Sequence, residues 1–91
     1  MRFEAALILA PGTDSEQAFP FVDHIAVGRR PAAPAEAERR IVLDDRLISG
    51  QHCVVTQSED GRFFARDTSR NGTRVDGRRI VPNANHACNI A

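Results

Sequence analysis

Apolar residues in this chain come in short runs, broken at close intervals by Gly, Pro, Asn and Asp. Within several runs they alternate with polar residues, the period of a strand that buries one face. The pattern predicts strands over 3–9, 18–22, 24–27, 40–43, 52–57, 62–67, 73–76 and 78–81. The breaks have turn chemistry. Pro11-Gly12-Thr13-Asp14 closes the first strand, and Ser58-Glu59-Asp60-Gly61 links two runs as a hairpin loop. Asp76-Gly77 is a two-residue type I′ signal, whose twist matches that of the strands it joins. Many short strands without a long helical period predict an all-β sandwich of two antiparallel or mixed sheets.

Two stretches lack the pattern. Arg30 to Arg40 is rich in Pro and Ala and reads as an inserted surface loop, with Glu36 and Arg40 spaced for one helical turn. Residues 82–91 show neither alternation nor an apolar face and read as an irregular tail.

Length changes the picture little: 91 residues make one domain over 1–91, with a small core. There is no Trp or Tyr, so five Phe carry all the aromatic bulk. Twelve basic residues balance twelve acidic ones, which argues against a nucleic-acid or membrane partner drawn by bulk charge. The Arg pairs are not interleaved with aromatics, as a single-strand binder would need. Every basic residue is Arg, the side chain whose planar fork matches phosphate, although a GC-rich coding bias gives the same composition. Cys53 and Cys88 lie far apart and suggest no disulfide framework, so a reducing, cytoplasmic setting is expected. The opening residues have too short an uncharged stretch for a signal peptide, and no run approaches the ~20 apolar residues of a membrane helix.

Three motifs stand beside predicted strand ends, in the order Gly28-Arg29, Ser49-Gly50-Gln51-His52 and Ser69-Arg70-Asn71-Gly72-Thr73. Ile41-Val42-Leu43-Asp44-Asp45 lies between the first two, and Val75-Asp76-Gly77 follows the third. Together, over about 25–80, they resemble the forkhead-associated (FHA) family. The resemblance implies a module that binds a Thr-phosphorylated protein or peptide, the product of a Ser/Thr kinase, with no catalysis, cofactor or metal. It assigns phosphopeptide contacts to Arg29, Ser49 and Asn71 and bracing of the binding loops to His52, while Gly28 and Gly72 are expected to support those loops through backbone geometry or close approach. The residue types suit those roles. A guanidinium can fork onto two phosphate oxygens, a hydroxyl can donate, and a carboxamide can both donate to and accept from a peptide backbone.

Simpler roles are open to each residue. Arg29 can be a surface arginine, Ser49 a turn former, and Asn71 only the first residue of an Asn-Gly turn. Two positions depart from the family's common pattern. Gly50 stands where Arg or Asn is frequent, and Arg70 where Thr or Ser is frequent. Arg70 is therefore expected to bring a second guanidinium to the phosphate. Other chemistries fit poorly. His52 and Cys53, adjacent on a strand, point to opposite faces, and His86-Ala87-Cys88 lacks metal-ligand spacing. No nucleophile elbow surrounds Ser49.

The family's sandwich normally continues past the Asp76-Gly77 hairpin with about two strands, whereas only ten residues follow Val81. The C-terminal strands are therefore expected to be missing or truncated. The chain is then a fragment such as the regulatory N-terminal part of a larger enzyme, a short-tailed member, or one half of a strand-swapped or edge-paired dimer. Phosphate-independent docking is the alternative function.

Overall fold

The computed structural model of the protein describes residues 2–30 and 40–88. The loop expected over 30–40, with its Glu36–Arg40 turn, therefore lies almost wholly outside the described residues.

Alternation builds the first layer. Strand β1 (Ala5–Leu9) turns Ala5, Leu7 and Leu9 inward and Ala6 and Ile8 outward. Strand β2 (Gln17–Phe21) turns in Phe19 and Phe21. The two pair antiparallel, Ala5 opposite Phe21 and Leu9 opposite Gln17. Pro20, which has no N–H, is accommodated because β2 has a single neighbour. The chain leaves β1 through a turn closed by Thr13 N–H to the Ala10 carbonyl at 3.3 Å, with Gly12 at φ 78°.

The second layer starts with β3 (His24–Gly28), β4 (Arg40–Val42), β5 (Cys53–Gln57) and β6 (Phe63–Asp67). Strands β3, β5 and β6 pair antiparallel in sequence, and β4 lies parallel on the far side of β3. The β5–β6 loop is the expected hairpin, with Gly61 at φ 80° and Ser58 N–H bonded to the Arg62 carbonyl at 2.9 Å. A small ribbon follows, β7 (Arg74–Val75) and β8 (Arg78–Arg79), turned at Asp76 (φ 52°) and Gly77 (φ 79°). Positive φ at both positions is the type I′ turn that the dipeptide predicts.

One expectation is corrected. The tail is not irregular: Asn85–Cys88 form β9, which pairs antiparallel with β6, Cys88 opposite Phe63 and Asn85 opposite Arg66. The five-stranded sheet thus runs β4-β3-β5-β6-β9. This segment has neither β-branched residues nor an apolar stripe. The open edge of β6 recruits it through backbone groups, which every residue carries. At least one strand therefore follows the Asp76-Gly77 hairpin.

The layers meet on Phe21, Ile25 and Ile41, all buried, with Leu7, Phe19, Val27, Val55 and Phe63 among the side chains packed around them. Phe63 stands edge-on to Phe3 and Phe21, ring centroids 5.8 and 6.0 Å away, a geometry worth ~1 kcal/mol per pair beyond burial. Gln57, 2% exposed, is the polar pin of this seam. Its Oε1 accepts from Phe3 N–H, and its Nε2 donates to the Phe3 and Val22 carbonyls at 2.7 and 2.8 Å. A buried amide is tolerable only with such partners, and here they fasten the N-terminal segment to the sheet.

Candidate functional site

Antiparallel pairing fixes where the motifs meet. Val27 on β3 lies opposite Cys53 on β5, and Cys53 opposite Asp67 on β6. The end of β3, the start of β5 and the end of β6 therefore share one edge of the sheet. Since β4 runs parallel to β3, the segment after Val42 leaves at that edge too. Residues 29–30, 43–52 and 68–73 are thereby gathered into one cluster of loops.

Backbone bonds lock the first two together. Arg29 N–H donates to the Ser49 carbonyl at 2.9 Å and Arg30 N–H to the Gly50 carbonyl at 3.1 Å. The approach is so close that a Cβ on Gly28 would fall onto the Gly50 carbonyl oxygen. Glycine is required there for space, not for φ. Behind it, Arg40 is 9% exposed, with Nε donating to the Arg30 carbonyl at 2.9 Å and Nη2 to the Gly50 carbonyl. Along the chain Arg40 reads as the end of the inserted loop, spaced from Glu36 for one helical turn, and as the start of a strand. Nothing in its neighbourhood along the chain marks it as the brace of this loop.

The third loop is organised from below by Asp67, 1% exposed at the end of β6. Its Oδ1 accepts from Ser69 N–H at 2.9 Å, from the Ser69 hydroxyl and from the Thr73 hydroxyl at 2.8 Å. Burial by itself would raise the carboxyl, but the Ser69 and Thr73 hydrogen bonds and the nearby His52 outweigh it and hold Asp67 below the ordinary carboxylate value. The Ser69 hydroxyl in turn accepts from Gly72 N–H at 2.8 Å. Gly72 sits at φ 99°, a conformation that favours glycine.

His52 joins the loops. Nδ1 accepts from Ser49 N–H at 3.1 Å, so Nε2 carries the proton and donates to the Gly72 carbonyl, also at 3.1 Å. Ser49 Oγ accepts from Arg70 N–H at 2.9 Å. That bond uses a lone pair and leaves the Ser49 O–H free to donate outward. Beside this edge, burial first, then the charge of Asp67, then Cys88, push the Cys53 thiol up to about 11.

Above the braces opens a cleft of about 590 Å³. Arg29, Ser49, Arg70 and Asn71 all line it, whereas Gly28, His52 and Gly72 do not. Arg30 and Arg46, which do not stand out along the chain, line it as well, and among the described residues no carboxylate does. The guanidinium groups of Arg29, Arg30, Arg46 and Arg70 and the Asn71 carboxamide have no hydrogen-bond or ion-pair partner among the described residues. The surface is cationic and rich in unused donors, the complement of a phosphoryl group on an extended chain. Among the described residues no His, Cys, Asp and Glu cluster suited to a metal ion occurs, and no helix long and apolar enough to cross a membrane.

A β-sandwich whose loops form a donor-lined cleft at one end defines a class of peptide-binding domain. The chain belongs to the FHA domain family, matching it over residues 25–88. FHA domains are non-enzymatic protein-interaction modules that bind phosphorylated peptides. The match reaches past 25–80 and takes in β9. No curated protein matches the chain.

Proposed function

We propose that this domain binds proteins phosphorylated on threonine and so couples a Ser/Thr kinase to an effector. The observation that carries the reading is the convergence of Arg29, Ser49, Arg70 and Asn71 on one cleft that no carboxylate of the described residues lines. In this reading Arg29 forks onto two phosphate oxygens, and the Ser49 O–H donates to a third. Arg70 adds a second guanidinium, and Asn71 holds the peptide backbone beside the phosphoresidue. Preference for threonine over serine rests on burying one methyl group, about 0.8 kcal/mol by area and up to ~3 in a tight pocket. The two free thiols fit a reducing compartment such as the cytoplasm.

The test is a phosphothreonine peptide library titrated beside its unphosphorylated twin. Binding confined to the phosphorylated set supports the reading. Equal binding of both sets would make this a phosphate-independent docking domain, and binding of neither would end the proposal.

A further inference from the structure

Charge in the cleft exceeds what one phosphothreonine can use. That group carries at most two negative charges, whereas Arg29, Arg30, Arg46 and Arg70 bring four positive ones. None of the four has an acidic partner among the described residues, although the chain has as many acidic residues as basic ones. The two ion pairs Asp23–Arg2, at 3.3 Å, and Asp60–Arg62, at 3.2 Å, lie away from the cleft, and none of the described residues lining it is acidic.

Gly50 shows how the surplus is arranged. A Cβ added there would meet Arg30 Nη2 at 3.5 Å and Nε at 3.6 Å, so the Arg30 guanidinium lies over the bare glycine backbone. The Gly50 position, without a side chain of its own, is roofed by Arg30 from the neighbouring loop. Arg30 and Arg46 line the same cleft as Ser49, Arg70 and Asn71 and bring it two guanidinium groups beyond those of Arg29 and Arg70. Arg46 sits within a turn in which Asp45 Oδ1 accepts from Leu47 N–H at 2.8 Å.

We infer that Arg30 and Arg46 form a second anion subsite, so that the preferred ligand is a phosphothreonine peptide with another anionic group within a few residues. The inference rests on the proposed phosphopeptide reading and adds the charge of the partner to it. A second phosphate and a cluster of Asp or Glu share the required chemistry.

Fluorescence anisotropy on the full chain tests this with peptide mixtures that have a central phosphothreonine. One mixture has neutral flanks. In a second, a phosphoserine scans three places on either side, and in a third an Asp-Glu pair does the same. An unphosphorylated mixture with the same Asp-Glu pair is the fourth. Wild type is expected to bind the best member of the second or third mixture at least ten-fold more tightly than the neutral mixture. Which of the two gains more identifies the source of the anion. In Arg30→Gln and in Arg46→Gln that ratio falls toward one. Equal affinity for neutral and anionic mixtures, or an unchanged ratio in both variants, overturns the subsite while leaving the phosphothreonine reading intact. Failure of every phosphothreonine mixture to bind overturns both. Binding of the unphosphorylated acidic mixture as tight as that of the third also removes the inference, by making the cleft a general acidic-peptide groove.

Discussion

At the scale of single residues, contact and support separate cleanly. Arg29→Ala removes a charge-assisted phosphate contact and is expected to weaken phosphopeptide binding by about 2–4 kcal/mol, roughly 30- to 1,000-fold. Calorimetric titration checks this, and because Arg29 is exposed its thermal midpoint should hardly move. Arg70→Ala should weaken binding less, since its backbone N–H still reaches Ser49 Oγ. Supporting residues fail differently. His52→Ala strands Ser49 N–H and the Gly72 carbonyl, and should cost ~1–3 kcal/mol of folding stability as well as affinity. Asp67 adds a pH dependence with a definite sign. Its folded pKa lies below the unfolded one, so its contribution is complete above the ordinary carboxylate range and fades as pH falls through the lower folded value. Urea midpoints should therefore drop below about pH 4, and Asp67→Asn should flatten that part of the curve. Roles at this scale were half legible. Arg29, Ser49 and Asn71 stand in motifs that can be read along the chain. Arg30, Arg40 and Arg46 do not, because an arginine's burial or its place in a cleft is decided by strands far away in sequence.

At the scale of elements, legibility followed local chemistry. Gly61 and Asp76-Gly77 announce their hairpins because positive φ is a property of the residue itself. The strands around them follow from alternation, with ends shifted by a residue or two, as in β1, which begins at Ala5 and not at residue 3, and β3, which runs on to Gly28 and not 27. Strand β9 was invisible for the opposite reason. Asn85-His86-Ala87-Cys88 has no strand preference of its own and pairs only because β6 offers an edge. Removing residues 83–91 should thus take away more than a tail. It strips the ladder along Phe63–Arg66, and the expected loss is about 2–4 kcal/mol in urea denaturation. Size-exclusion chromatography should then show self-association through the bare β6 edge.

At the scale of the whole molecule, zero formal net charge conceals a polarised distribution, with four guanidinium groups that have no partner among the described residues gathered at one end. Phosphopeptide affinity should fall about three- to ten-fold between 0.1 and 0.5 M salt, while thermal stability, which rests on the apolar seam, stays nearly constant. The sandwich also places its two thiols in unlike surroundings. Cys53 lies on the central strand β5, protonated at neutral pH, and Cys88 on the outermost strand β9, its pKa raised mainly by burial. Alkylation kinetics can therefore tell the two apart in one native sample: Cys88, on the edge strand, should react sooner, and Cys53, whose thiolate is scarce at neutral pH, more slowly.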